Sequence, residues 1–136
     1  MMIDLAEHFE KGYIALKDVA ERQSIPKKYL EQIVTVFTKS ELLKTIRGSK
    51  GGYMLANTPD KYTLNMILRL TEGTISPLSV KGQNTAGHEK DNECDLMTLY
   101  IWQDLHKIIN DYLDKITLQD VIDKYRKEQA GFNYVI

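Results

Sequence analysis

The feature of the sequence that most constrains the fold is a long apolar stripe near its C-terminal end. Apolar residues recur at helical spacing from position 101 to position 116, while polar residues such as Gln103, Lys107 and Asp111 occupy the other side. The pattern predicts one long helix. Because the stripe is wide for a helix that serves only a small domain, it fits either a core helix or an interface with another chain. The apolar stripe consists of Ile101, Trp102, Leu105, Ile108, Ile109, Tyr112, Leu113 and Ile116.

Shorter segments with a clear period precede and follow the apolar stripe. Thr63 and Thr117 stand where helix caps are expected, Thr117 with Asp120 as a capping pair, and Gly73 marks a helix end. Residues 76–93 have no apolar period and many loop formers, so they predict a long surface loop. Helices are predicted over residues 1–11, 16–23, 26–40, 64–72 and 118–129, and strands over 42–46 and 53–55. The predicted fold class is therefore mainly α with a small β-hairpin.

The glycine-rich loop RGSKGGY, residues 47–53, raises the question of nucleotide binding. A phosphate-binding loop leads from a strand into a helix and places its lysine after the glycines. Here Lys50 precedes Gly51 and Gly52, and the following Tyr-Met-Leu is a strand signal. The loop therefore joins the two strands of a hairpin, where glycines supply positive φ angles for the turn. Arg47 and Lys50 are then left at an exposed tip.

Charge is distributed unevenly along the chain. The formal net charge is only -1, yet seven basic residues face two acidic ones between positions 22 and 53. A local excess of positive charge attracts an anionic partner even when the whole protein is near neutral. A short helix, a tight turn, a lysine-led helix and a basic hairpin follow one another in this stretch. This order predicts a winged helix-turn-helix domain that binds double-stranded DNA, with the second helix in the major groove.

Other classes of function find little support in the sequence. The single cysteine, Cys94, excludes an intramolecular disulfide and a metal site with several cysteines. The histidines and serines lack a nucleophile motif, so we assign no catalytic residue and expect no enzyme. No apolar run approaches the roughly 20 residues of a membrane span, and the first residues lack a basic leader. We expect a cytoplasmic protein with no membrane partner.

Four stretches carry a resemblance to a known family. They are LKDVAERQSIPKKYLEQIV at 16–34, LLKTIRGSKGGYMLA at 42–56, TLNMILRLTEG at 63–73, and the region around Trp102 and Thr117. The YLEQ and RGxxGGY pieces are far more specific than a generic helix-turn-helix. On these residues the chain resembles the Rrf-two family of bacterial winged-helix transcription regulators, over nearly its whole length. The resemblance implies a homodimer that binds palindromic operators and usually represses transcription.

The resemblance also implies roles for individual residues. Lys28, Glu31 and Gln32 stand where the recognition helix faces the bases; glutamine pairs bidentately with adenine, and glutamate accepts from cytosine. Tyr29 fits either a phosphate contact or an aromatic residue at the edge of the core. Arg47 and Lys50 are the implied wing contacts. The full set of candidate DNA-binding residues is Lys27, Lys28, Tyr29, Glu31, Gln32, Arg47, Ser49 and Lys50.

For the apolar stripe, the resemblance implies a dimerisation helix. That helix presents the stripe to a second copy in a two-fold interface. The expected organisation is a winged helix-turn-helix domain over 1–74 and a flexible loop over 75–93, which holds the sensor in relatives. The dimerisation helix and a C-terminal helix follow over 94–136.

Two departures from the family pattern stand out. Relatives begin with a basic segment that opens the first helix and touches DNA, whereas Met1 falls inside that helix. Either the start is assigned too late or the segment has been lost. Iron–sulfur members carry several cysteines in the loop before the long helix, and here the loop offers only Cys94. We therefore expect no cluster, no other metal and no cofactor.

Two alternatives to a cluster-free DNA-binding repressor stay open at this point. His88, Glu89, Asp91 and Glu93 are compactly spaced donors beside Cys94, so residues 88–94 allow a metal or redox sensor. Cys94 itself is then either an inert thiol or a redox-active one. The other alternative is a regulator of the same fold that has lost tight DNA binding and acts by pairing with a metabolic enzyme or another regulator.

Overall fold

Six α-helices and one β-hairpin make up the part of the chain that the computed structural model describes, residues 1–73 and 93–132. Short 3-10 turns lie at Phe9–Lys11 and Pro59–Lys61. The predicted fold class, mainly α with a small antiparallel hairpin, is confirmed. The elements are α1 (Met2–Glu7), α2 (Leu16–Gln23), α3 (Lys27–Lys39), β1 (Leu43–Ile46), β2 (Gly52–Leu55), α4 (Leu64–Glu72), α5 (Glu93–Lys115) and α6 (Leu118–Phe132).

Most predicted element boundaries agree with the structure to within a few residues. The first helix is shorter than predicted, because α1 ends at Glu7 and a 3-10 turn continues to Lys11 before Gly12. Most of the predicted loop lies outside the described residues, and Glu93, which was placed in it, begins α5.

Helices α2 and α3 form the helix-turn-helix pair. Ser24 adopts the left-handed conformation with φ of 52°, and the amide of Ile25 donates to the carbonyl of Ala20 at 3.0 Å, which closes α2. Pro26 stands just before α3, and its carbonyl accepts from the amide of Tyr29 at 3.0 Å. Since proline has no N–H to leave unpaired, it suits this position at a helix start.

The hydrophobic core lies where α1, α2, α3, the hairpin and the start of α6 meet. Helix α3 contributes Leu30, Val34 and Phe37, whose spacing puts all three on one buried face. Burial of side chains of this size contributes roughly 1.5–3 kcal/mol each. The buried apolar residues are Met2, Leu5, Ala6, Ile14, Leu16, Val19, Leu30, Val34, Phe37, Leu43, Leu55, Tyr62, Leu118 and Ile122.

The hairpin pairs β1 with β2 in antiparallel register from Leu43↔Leu55 to Ile46↔Gly52. A third segment, which the sequence pattern did not reveal, joins it: Ile14 and Tyr53 exchange backbone hydrogen bonds of 2.9 and 2.8 Å. A side chain at Gly52 would run into the backbone of Ile14. The glycine therefore lets the segment before α2 lie directly against the base of the hairpin.

The junction between the long helix and the first domain is held by backbone pairing. The amide of Leu64 donates to Ile116 and that of Leu118 donates to Tyr62, both at 2.9 Å. Ile116, predicted as the last member of the apolar stripe on the long helix, instead follows the end of α5 and lies in this junction. The predicted cap of α6 is confirmed, since Thr117 donates to the Asp120 carboxylate from both its amide and its hydroxyl.

The apolar stripe of α5 divides into two sides. Ile109 and Leu113 are half-buried, beside the buried Asn110, whose side-chain oxygen accepts from Arg69 of α4 at 3.3 Å. Ile109 and Leu113 are thus less accessible than Ile101, Ile108 and Tyr112, and their role in dimerisation stays a prediction. The members that stay exposed are Ile101, Trp102, Leu105, Ile108 and Tyr112.

Candidate nucleic-acid interface

The outer face of α3 carries a straight row of polar side chains. Lys28, Gln32, Thr35 and Lys39 follow one another at spacings of four, three and four residues, all exposed and opposite the buried face of the helix. Because the buried face fixes the rotation of α3, this row is the part of the helix that can enter a groove. Tyr29 lies at its side with 56% of its surface exposed, and its phosphate contact stays a prediction.

The side of α3 that faces the hairpin is more constrained. Lys27 and Glu31 form an ion pair with 3.6 Å between ammonium and carboxylate, and both side chains are more than half exposed. The hydroxyl of Thr35 donates to the carbonyl of Glu31 at 2.8 Å. An exposed pair of this kind contributes little to stability, so either partner can exchange it for a nucleic-acid contact.

The wing is a tight turn with its polar side chains outward. Arg47, Ser49 and Lys50 are all exposed. Gly48 adopts φ of 116°, and its carbonyl accepts from the amide of Gly51 at 2.9 Å. Positive φ therefore explains Gly48 but not the other two glycines of the loop. A side chain on Gly51 would come within 2.7 Å of the carbonyl oxygen of Ile46, so close approach is the requirement there.

A cleft of about 600 Å³ separates α3 from the wing. Three of the predicted DNA-binding residues, Lys27, Glu31 and Arg47, line it. Lys28, Gln32 and Tyr29 lie on the outer part of α3, and Ser49 and Lys50 lie at the tip of the wing. The structure thus arranges the predicted residues in two ridges, α3 and the wing, with the cleft between them. Their contact with the grooves of a duplex stays a prediction.

Sequence reasoning missed several residues of this surface. Lys17, Thr38 and Thr45 line the cleft, and Thr35 belongs to the outer row of α3. The spacing of Thr35 from Gln32 and Lys28 was a usable signal, because these residues share a helix face. Lys17 gave no such signal, since only the pairing of Ile14 with Tyr53 brings the start of α2 to the wing.

Arg22, which was counted in the basic stretch, has a structural role instead. Its guanidinium donates to both carboxylate oxygens of Asp4, at 2.9 and 2.7 Å, and Gln23 donates to the same carboxylate. Burial raises the pKa of Asp4, but the hydrogen bonds and charge of Arg22 outweigh it and hold that pKa below its ordinary value of 3.8. The ion pair ties α1 to the end of α2, so Arg22 is not a free cation of the interface.

A helix-turn-helix pair with an outward polar row, followed by a basic wing, defines a winged-helix DNA-binding protein. Comparison with known proteins agrees. The sequence matches the model of the Rrf2 family, iron-dependent transcriptional regulators, over residues 1–124, and the chain belongs to this family. It is the family that the resemblance had indicated.

Individual relatives and solved structures give the same picture. The HTH-type transcriptional regulator CymR of Bacillus subtilis is 32% identical over 137 residues, which cover 100% of this chain and 91% of CymR. The HTH-type transcriptional regulator IscR of Pectobacterium carotovorum is 30% identical over 122 residues, covering 90% of this chain and 72% of IscR. The structure of T. potens IscR superposes with a TM-score of 0.74 at 35% identity, covering 94% of this chain and 82% of that one. The structure of B. subtilis CymR, a global cysteine regulator, gives 0.71 at 33% identity, covering 90% and 88%. The protein is thus a DNA-binding transcriptional regulator, in a family of regulators rather than enzymes.

The family description mentions iron, whereas this sequence lacks the several cysteines that an iron–sulfur cluster needs. Iron–sulfur clusters are held by several cysteine thiolates, and the sequence contains one cysteine. Among the described residues, no group of three His, Cys, Asp or Glu side chains is placed to hold a metal ion. Residues 88–92 of the proposed sensor segment lie outside the described residues, and Cys94 falls in the first turn of α5. Within the described part of the chain, no helix is both long and apolar enough to cross a membrane.

Proposed function

We propose that the protein is a homodimeric repressor that binds a palindromic operator without an iron–sulfur cluster. The observation that carries the proposal is the alignment of Lys28, Gln32 and Thr35 on the outer face of α3, beside a wing that offers Arg47 and Lys50. DNA recognition needs both parts, because base contacts specify the sequence while phosphate contacts fix the register.

In this proposal α3 and the wing contact different parts of the DNA. Gln32 reads an adenine edge in the major groove, and Glu31 accepts from a cytosine once Lys27 has moved to a phosphate. Lys28 faces the bases beside Gln32, whereas Tyr29 and Ser49 contact the backbone. Arg47 and Lys50 reach the minor groove or its phosphates, where narrow A·T stretches attract arginine.

Helix α5 is the dimerisation element in this proposal. Ile101, Ile108 and Tyr112 are each about two-thirds exposed, and Trp102 and Leu105 extend the same surface. A contiguous apolar surface of this kind is costly in water and typical of an interface. Its occupant is a second copy of the chain, because a two-fold axis supplies two recognition helices for a palindrome. The organisation into a DNA-binding domain, a loop and a dimerisation region remains a proposal on this basis.

The cytoplasm is the site of action, and no catalytic activity is part of the proposal. A regulator of the same fold that binds a metabolic enzyme instead of DNA is the second candidate. Cys94 as a redox sensor has only the sequence position of this cysteine in its favour.

A fluorescence anisotropy titration tests the main proposal against the second candidate. The probe is the duplex that lies upstream of the protein's own gene, and a scrambled duplex of equal length is the control. We expect tight binding to the first, typically tighter than 10⁻⁸ M at physiological salt, with log affinity falling linearly as log salt rises. Weak binding that does not distinguish the two duplexes would contradict the repressor and favour the interaction regulator.

A further inference from the structure

The cleft between α3 and the wing has a back wall formed by the start of α2. The two backbone hydrogen bonds between Ile14 and Tyr53 hold this segment against β2, and Gly52 leaves room for it. Ala15, Leu16 and Lys17 therefore line the same cleft as Arg47 of the wing. The α2 segment is thus a third element of the DNA-facing surface, besides α3 and the wing.

Lys17 is the only charged residue that this third element brings to the cleft lining. Its side chain is 75% exposed, and its ammonium lies 3.7 Å from the carboxylate of Glu21, one helical turn along α2. Because Glu21 is also well exposed, water screens the pair and its contribution to stability is small. Lys17 can therefore turn from Glu21 to an anion at little cost.

The charges that line the cleft are arranged to suit an extended polyanion rather than a single small anion. Lys17, Lys27, Lys39 and Arg47 come from three elements, and Glu31 is the one carboxylate among the lining residues. All four cations are exposed, so no desolvated charge is held ready for a single anion. Thr35, Thr38 and Thr45 line the same cleft. Exposed cations spread along an open groove suit an extended polyanion.

We propose that one sugar–phosphate strand of the duplex runs through this cleft and that Lys17 contacts a phosphate at its back wall. The inference rests on the proposed placement of α3 and the wing in neighbouring grooves, because the strand between those grooves must then cross the cleft. Lys17 is a point charge on a flexible stem, so it contributes affinity without base preference.

The test is the salt dependence of binding for Lys17→Ala. Its matched control is Lys61→Ala, since Lys61 is 68% exposed, has a carboxylate partner in Asp60 at 3.4 Å, and lies outside the cleft. In the Lys17→Ala variant we expect the slope of log affinity against log salt to fall by about one unit, with a uniform loss of roughly three- to tenfold at 0.1 M salt on all duplexes. Lys61→Ala should keep the wild-type slope.

A Lys17→Ala slope equal to that of wild type and of Lys61→Ala would overturn the proposed contact. Lys17→Arg, which keeps the charge, should restore most of the affinity; a loss as large as that of Lys17→Ala would show that charge is not the cause. Failure of the proposed interface itself looks different, since the wild-type protein and Gln32→Ala would then bind operator and scrambled duplex alike.

Discussion

At the scale of single residues, Gln32 has the most specific proposed role. Its side chain is exposed at the centre of the outer row of α3, between Lys28 and Thr35, and it can pair with adenine through both amide atoms. The flanking residues contribute charge or a hydroxyl, which tolerate several bases. Specificity at one position of each half-site should therefore depend on Gln32.

Gln32→Ala should relax base preference at one operator position by about 1–3 kcal/mol. The measurement is a set of binding titrations on duplexes that vary one base pair at a time. Gln103→Ala, an exposed glutamine on α5, serves as the control and should leave the preference unchanged. An equal loss for Gln32→Ala on every duplex would contradict base reading.

The Asp4–Arg22 pair gives a second prediction at this scale. Asp4 is almost fully buried, and Arg22 is the source of both short hydrogen bonds to it. Arg22→Ala leaves the carboxylate without its charge partner, so the free energy of unfolding should fall by roughly 3 kcal/mol or more, as measured by urea denaturation. Lys17→Ala, which removes an exposed cation from the same helix, should change it by less than about 1 kcal/mol.

The same pair predicts how stability depends on pH. Because the pKa of Asp4 lies below its ordinary value of 3.8 in the folded protein, its ionised form stabilises the fold. That contribution is fully present well above pH 3.8 and is lost as the pH falls through the lower folded-state pKa. Asp4→Asn should therefore flatten the acid limb of a plot of unfolding free energy against pH. An unchanged acid limb would contradict the assignment.

Residues that act locally were predictable from the sequence, and distant pairs were not. Thr63 accepts from the amide of Met66, and Thr117 pairs with Asp120, both three residues on, so the cap pattern is visible in the sequence. Asp4 and Arg22 are separated by 18 positions, and their contact depends on how α1 packs against α2. Arg22 was therefore wrongly included among the basic residues of residues 22–53 that are available to an anionic partner.

At the scale of elements, α5 shows what a helical period can reveal. The spacing of apolar residues predicted the helix, but it could not say which of them would face the protein's own core. Ile109 and Leu113 are half-buried beside Asn110, which Arg69 of α4 contacts, whereas Ile101, Ile108 and Tyr112 are exposed. Residues that are adjacent in sequence on α5, such as Ile108 and Ile109, therefore differ in burial. Substitutions at these two positions should have different effects.

Ile108→Asp should convert the dimer to a monomer, because a charge in the centre of an apolar interface is strongly unfavourable. Size-exclusion chromatography with light scattering measures the mass, and the circular dichroism spectrum should stay that of a folded protein. Ile109→Asp is the matched comparison and should lower stability instead, because it places the charge against the protein's own helices. A dimer that survives Ile108→Asp would contradict the proposed interface.

The hairpin was predictable from the sequence, but the segment that pairs with its base was not. The glycines and flanking strands identified the wing, and the two strands pair as predicted, in a register from Leu43↔Leu55 to Ile46↔Gly52. The bridge between Ile14 and Tyr53 was invisible, because a single extended residue before α2 has no period. The cleft, and with it the position of Lys17, depends on that bridge.

At the scale of the whole molecule, the basic surface and the largest group of exposed apolar side chains lie on different elements. The exposed cations of the cleft and wing lie on α2, α3 and the hairpin, whereas the exposed apolar side chains concentrate on α5. In the proposed function the first of these surfaces binds DNA and the second binds another copy of the chain. The net charge of -1 describes the whole sequence and therefore does not reveal the basic surface. The basic surface becomes visible only from the positions of the charged residues along the chain.

Hydroxyl-radical footprinting on the DNA upstream of the protein's own gene tests the central claim most directly. A two-fold dimer with a recognition helix in each half-site predicts two symmetric protected segments, with centres about 10 base pairs or a whole multiple of that apart. Each segment should include backbone positions of the strand that crosses the cleft, on both sides of the crossing point. Ile108→Asp should abolish both segments together at the same protein concentration. One isolated segment, or no protection at concentrations where the protein is dimeric, would contradict the claim.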